Sequence, residues 1–264
     1  MHTITRALLI SSLVFLAACG SQKNSDLTAN NTNSIFGGEE LNPNEEIAGY
    51  IVGLYNHVGQ YICTGSIIDE DMILTAAHCV KGDPRNLLVF FGPKLEKGVE
   101  LRRVANAAVH ARYRRGKSFS TGDIAVLKIE GDLPLGYGPI DLLQDRAEVA
   151  PGTEALFAGY GVSNVKTKDG SGTLRWVIGK VTQGFWSFTE ASVKQSLKTG
   201  GVCNGDSGGP AMSLIDNNWV LWGVTSRGGS SDDGICTSET LFTRVDVYLP
   251  WIQKAVEVLR ADGQ

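Results

Sequence analysis

Short apolar runs separated by Gly, Asn, Asp and Pro dominate the chain, at residues 50–55, 71–75, 87–91, 124–129, 156–158, 176–181 and 219–224. Runs of that length, bounded by turn formers, read as β-strands. No amphipathic helix of ordinary length intervenes between them, which argues against a parallel α/β sheet. The period changes near the C-terminus. Across residues 249–260, Trp251, Ile252, Ala255, Val256, Val258 and Leu259 gather on one side of a helix expected to start after Pro250, with Lys254 and Glu257 opposite. The strand-rich body divides into two β halves, about 35–143 and 144–248, and a cleft between such halves is a natural substrate site.

A different pattern precedes the body. Residues 7–18 follow Arg6 and are almost wholly apolar, too few to span a bilayer comfortably but suited to a secretory leader. Residues 1–18 are therefore expected to be a signal peptide. The sequence Leu16-Ala17-Ala18-Cys19 resembles the lipobox of bacterial lipoproteins. That resemblance implies lipidation of Cys19 and an exported, membrane-anchored precursor, periplasmic, cell-surface or extracellular once released. Ordinary cleavage near Ala18 is the alternative. Residues 19–34, rich in Asn, Ser and Thr, read as a tether or pro-segment. Order is expected from Ile35 onward, giving a folded domain over residues 35–264. No later apolar run is long enough to cross a membrane as a helix.

Composition sharpens this reading. Hydrophobic residues make up 42%, enough for a sizeable core, and 32 glycines among 264 residues favour a turn-rich β protein. The net charge of −4 is made of interspersed signs, so nucleic acid is not an expected partner. The basic cluster at 112–117 reads as a solvated loop. Beyond the leader stand Cys63, Cys79, Cys203 and Cys236, an even number that permits three pairings in an exported protein. Without a CxxC pair among them, a zinc site is disfavoured. No metal or other cofactor is implied.

Three segments carry candidate chemistry: Thr75-Ala76-Ala77-His78-Cys79, Asp123-Ile124-Ala125, and Cys203-Asn204-Gly205-Asp206-Ser207-Gly208-Gly209-Pro210. Together they supply a serine nucleophile in a glycine-rich turn, a histidine base and an aspartate to orient it. An unassisted hydroxyl is a poor nucleophile at neutral pH. A neighbouring imidazole can remove its proton and later protonate the leaving group.

These segments, with Ile35-Phe36-Gly37-Gly38 ahead of them, closely resemble the trypsin/chymotrypsin family from Ile35 to about Leu259. The resemblance implies an all-β fold of two packed six-stranded antiparallel Greek-key barrels with a C-terminal helix. It also implies a serine endopeptidase acting on polypeptides through an acyl-enzyme, with His78, Asp123 and Ser207 as the triad. The backbone N–H groups of Gly205 and Ser207 correspond to the oxyanion hole. Cys63 would pair with Cys79, and Cys203 with Cys236. Family members are activated when a new amino terminus inserts beside the acid before the nucleophile, here Ile35 beside Asp206. Asn33-Ser34 precedes that cut, so the chain lacks the basic residue of trypsin-like self-activation, and a separate activating protease is expected. Because Cys19 lies upstream, the same cut would release the domain from a lipid anchor.

The resemblance places the specificity pocket at Gly201, Val202, Ser226, Arg227, Gly228 and Thr240. Gly201 stands where trypsin-like members carry an aspartate, and Thr240 would shorten the slot. Small or medium apolar side chains are the expected preference. Glu239 turned inward would restore a basic preference. Ser226 is expected to contact Asp123. Arg227 is either a solvent-facing charge or a contact for an acidic substrate group. Other readings are an esterase on the same site and a protease-like binding protein whose triad is unused.

Overall fold

The computed structural model describes residues 35–113, 122–164, 166–228 and 236–262. The leader, the tether with Cys19, and most of the 112–117 cluster lie outside these residues. Among the described residues no helix is long and apolar enough to cross a membrane.

Fifteen strands and one α-helix are described. In chain order the first seven strands are β1 (Glu39–Glu40), β2 (Ile51–Asn56), β3 (Tyr61–Asp69), β4 (Met72–Thr75), β5 (Leu87–Phe91), β6 (Glu100–Val109) and β7 (Ala125–Ile129). They are followed by β8 (Asp141–Leu142), β9 (Glu154–Gly159), β10 (Arg175–Lys180), β11 (Gln183–Ser187) and β12 (Glu190–Lys194). The last elements are β13 (Pro210–Ile215), β14 (Asn218–Gly228), β15 (Glu239–Arg244) and α1 (Val245–Ala261).

The first half closes as expected into an antiparallel barrel, β2-β3-β4-β7-β6-β5. Local chemistry sets its hairpins. The Asn56 side chain accepts hydrogen bonds from the Val58 and Gly59 N–H groups and folds the β2–β3 turn. Inside, Phe90 lies opposite Gly53 on the neighbouring strand, and a Cβ on Gly53 would strike its ring. Glycine thus makes room for an aromatic that fills the barrel. In the second half the two-residue turn Asp216-Asn217 has φ of 48° and 64°, the pair of positive values that suits a tight hairpin.

The second half departs from the expected closed six-stranded barrel. It is an open sheet of nine strands, ordered β1-β10-β9-β13-β14-β15-β12-β11, with β8 added parallel to β14. Competing partners explain the opening. β1 takes the outer edge of β10 at Arg175 and Trp176, and β11 takes the outer edge of β12. The two strands that would close a barrel are thereby left apart, with a cavity of about 400 Å³ lined by Val177, Ile178, Lys180, Val193, Lys194 and Gln195 among others.

The helix begins at Val245, five residues before Pro250, so the proline sits inside it and not at its first position. Arg244, at the N-cap, pairs with Asp246 in the first turn, where a negative charge suits the helix dipole. Val245, Tyr248, Ile252, Ala255, Val256 and Leu259 are buried at helical spacing, whereas Val258 faces out. This face joins the core of the first barrel, so the C-terminal segment ties the two halves together. A smaller core beneath the second sheet gathers Ile35, Phe157, Val177, Trp222 and Phe242.

Candidate active site

His78 lies on a single 3-10 turn, Ala77–Cys79, immediately after β4. The Cys63–Cys79 disulfide anchors that turn to β3. The residue after Cys63, Thr64, donates its backbone N–H to the Ser207 carbonyl at 2.8 Å, and its hydroxyl donates to the Gly205 carbonyl at 3.0 Å. One covalent bridge and two hydrogen bonds therefore hold the histidine turn and the serine turn against the same strand. Gly208 tightens this approach. Its φ is 80°, and a Cβ there would collide with Thr75, the Thr64 carbonyl and the Ala76 N–H.

Asp123 arrives from the segment just before β7 and is almost fully buried. Its Oδ1 accepts from the His78 backbone N–H at 2.9 Å; its Oδ2 lies 2.8 Å from His78 Nδ1 and accepts from Ser226 Oγ at 2.6 Å. Burial alone would raise the Asp123 carboxyl. Hydrogen bonds from His78 and Ser226, and attraction to the imidazole, outweigh it and hold the group below the ordinary carboxylate range. An ionised acceptor at Oδ2 places the proton on Nδ1, which leaves His78 Nε2 with its lone pair available. The imidazole is itself partly accessible, with 24% of its side chain exposed.

The serine turn is built on unusual backbone. Gly205 has φ of 98°, and a Cβ would press on the Gly161 Cα. Around it the Asp206 and Gly209 N–H groups bond within the turn, and the Gly208 N–H reaches the Thr225 carbonyl. Those of Gly205 and Ser207 have no backbone acceptor among the described residues. Asp206 is fully buried beneath them. Its carboxylate accepts from the Gly161 and Cys203 N–H groups at 2.8 Å each. Desolvation nevertheless pushes its pKa up to about 7, against the lowering effect of those two bonds and of Arg175. Ile35 is buried in the second core, and no hydrogen bond joins it to Asp206 among the described residues.

The Cys203–Cys236 disulfide links the serine turn to the segment before β15. Beside it, Gln195 accepts from the Val202 N–H and donates to the carbonyls of Val202 and Cys236. A Cβ on Gly201 would strike this glutamine. Gly228 and Thr240 stand opposite each other on β14 and β15, and a Cβ on Gly228 would come within 3.9 Å of Thr240 Oγ1. That hydroxyl is buried with no hydrogen-bond partner among the described residues. Glu239, on the alternate face of β15, accepts from Ser192 Oγ at 2.7 Å.

Arg227, with 30% of its side chain exposed, has a partner that neither expected role includes. Its guanidinium forks onto the buried Glu190 carboxylate at 2.5 and 3.1 Å. Arg227→Ala should destabilise the fold by about 3 kcal/mol, because the Glu190 charge stays buried without its counter-charge. A urea melt measures this, and a loss under about 0.5 kcal/mol would show the pair to be a surface contact in energetic terms. Glu190, Arg175, Gln195 and Thr64 all support the site, and no motif in the sequence marks them. Only their polar character in or beside apolar strands offers a signal.

Comparison with known proteins agrees with this geometry. Chymotrypsin-like elastase family member 1 of Macaca fascicularis is 25% identical over 214 residues, covering 74% of this chain and 79% of the relative. Its counterpart from Bos taurus is 26% identical over 210 residues, with the same coverages. The Trypsin family model matches residues 35–252, which include the His78 turn, the Asp123 segment, the serine turn and both disulfides, and so the chain belongs to the trypsin family.

Proposed function

We propose that the protein is a serine endopeptidase in which Ser207, His78 and Asp123 form a catalytic triad. The observation that carries the reading is the double acceptor role of Asp123, which fixes His78 as the Nδ1–H tautomer and leaves Nε2 to act as base. Ser207 Oγ attacks the peptide carbonyl as its proton passes to Nε2. The new oxyanion is met by the N–H groups of Gly205 and Ser207, which have no backbone acceptor of their own among the described residues. Collapse expels the amine, which takes the proton from Nε2, and leaves an acyl group on Ser207. Water, deprotonated by the same nitrogen, then releases the acid.

Small or medium apolar side chains are the proposed primary preference. Thr240 faces Gly228 across the ladder and narrows the space, while Glu239 is engaged with Ser192 on the other face. The test is a serine-reactive fluorophosphonate probe together with peptides carrying Val, Phe or Lys before the scissile bond. Labelling lost in Ser207→Ala, and fastest cleavage after Val, are expected. Fastest cleavage after Lys would reverse the specificity, and unchanged labelling in Ser207→Ala would remove the triad.

Activation is proposed to follow a cut before Ile35, whose new ammonium would pair with Asp206; an export leader and lipidated Cys19 remain part of this reading. Before the cut, the raised pKa of Asp206 makes the folded chain hold a proton that the unfolded chain releases. Stability from this group is full below about pH 4, is lost as pH rises toward 7, and amounts to about 4 kcal/mol. A buried cation pulls that pKa back down. The cut domain should therefore melt well above the intact chain at pH 8 and close to it at pH 4. Equal melting of the two forms at both pH values would remove the ion pair.

A further inference from the structure

Asp206 is fully buried, and two backbone N–H groups do not fully offset the cost of its charge. A second buried charge is similarly under-compensated. Arg175, 5% exposed, donates from Nη1 to the carbonyls of Gly170 and Thr173, while its Nε has no hydrogen-bond partner among the described residues. Its ion pair with Glu40 is long, at 3.5 Å, and 70% of the Glu40 side chain is exposed, so solvent screens it.

The strand register puts these two charges together. Arg175 on β10 lies directly opposite Gly159 on β9. Directly opposed residues of an antiparallel pair project to the same face. The space that a Gly159 side chain would need on that face is occupied by the Asp206 carboxylate. Gly159 thus leaves the anion on the face from which Arg175 projects, close enough for their charges to act on each other without a direct ion pair. Among the described residues Arg175 is the cation acting on Asp206. Among the described residues the strands and turns around the carboxylate contribute no other charge to it, and Glu40 on β1 lies on the far side of Arg175 from Gly159.

We infer that Arg175 is a positioning residue that supplies the positive charge for Asp206 in the uncleaved chain, so that the serine turn is already set before any cut at Ile35. This rests on the serine peptidase reading. Arg175 touches neither substrate nor the reacting atoms; it acts through Asp206, whose backbone is continuous with Gly205 and Ser207. An uncleaved chain would then have basal activity, and the Ile35 ammonium, once formed, would take over the role of Arg175. The absence of a basic residue before Ile35 fits a chain that does not depend wholly on self-cleavage.

The test uses the full chain carrying Ser34→Arg, prepared intact or cut before Ile35 with trace trypsin, each form verified by mass. The readout is the rate of fluorophosphonate labelling at Ser207 from pH 5 to 9. The intact chain should label. Arg175→Gln should slow labelling of the intact chain at neutral pH by at least about tenfold and move its acid limb to higher pH. Cutting the same variant should restore the rate, and Arg175→Lys should stay within about threefold of the parent, since the charge is kept. An intact parent that labels only after cutting would overturn the inference and leave the peptidase reading standing. So would an intact Arg175→Gln chain that labels like its parent, or one whose loss persists after cutting, which marks structural support alone. A parent that labels in neither form would take down the peptidase reading and the inference with it.

Discussion

Ser207→Ala and His78→Ala should each lower kcat on a peptide substrate by about 10⁶-fold, and the double variant should lose no more than either single one. The two groups share one step. Without Nε2 the hydroxyl stays protonated, and without the hydroxyl Nε2 has no proton to take. What remains is stabilisation of the oxyanion by backbone donors, on the order of 10³–10⁴ over water. The fold should tolerate Ser207→Ala. The hydrogen bonds that seat the serine turn run from Thr64 to the carbonyls of Ser207 and Gly205, and none requires the Ser207 hydroxyl. For Ser207→Ala, affinity for a peptide inhibitor and melting temperature should therefore stay near wild type while kcat collapses. A single-variant loss under about 10²-fold, the lower range for general acid–base catalysis alone, would place the nucleophile or the base elsewhere.

The first barrel was legible because its strands bury one face each in a common core, and alternation or short apolar runs report that burial directly. The residues expected for chemistry were legible for a different reason: each sits in a turn whose neighbours are constrained by close approach. Gly208 is fixed by contact with Thr75 and Thr64, and Gly205 by contact with Gly161. The second half was less readable. Whether β10 meets β12 depends on competition from β1, which is distant in sequence, and from β11, which lies between them and turns back on β12 in a hairpin. The helix start was misplaced by a local rule, because Pro250 suggests a first helical position while Val245 and Tyr248 are buried only in tertiary context. The pairing of Arg227 carries no sequence signal either. Its partner Glu190 lies 37 residues earlier, and a charge-bearing strand looks solvent-facing until the opposing carboxylate is placed.

Asp123→Asn should lower kcat by about 10⁴-fold with little change in KM. Three donors converge on this carboxylate: the His78 backbone N–H, the Nδ1–H, and the Ser226 hydroxyl. Asparagine offers one oxygen and one NH2 group, so two orientations compete. If the NH2 group takes the place of Oδ1, it faces the His78 backbone N–H, a buried donor that cannot rotate away. If it takes the place of Oδ2, the Ser226 hydroxyl can turn to accept, and His78 can move its proton from Nδ1 to Nε2. The second arrangement is cheaper because both partners adapt. It also removes the base, since a protonated Nε2 cannot take the Ser207 proton. Stability should change with a definite sign. The Asp123 carboxyl is held below its ordinary value in the fold, so its ionised form stabilises the wild type above about pH 4 and that advantage fades as pH falls through the folded pKa. The melting difference between wild type and Asp123→Asn should thus be largest near neutrality and shrink in acid. A variant that keeps its rate, or a difference that grows as pH falls, would mean that Asp123 does not hold His78 in the working tautomer.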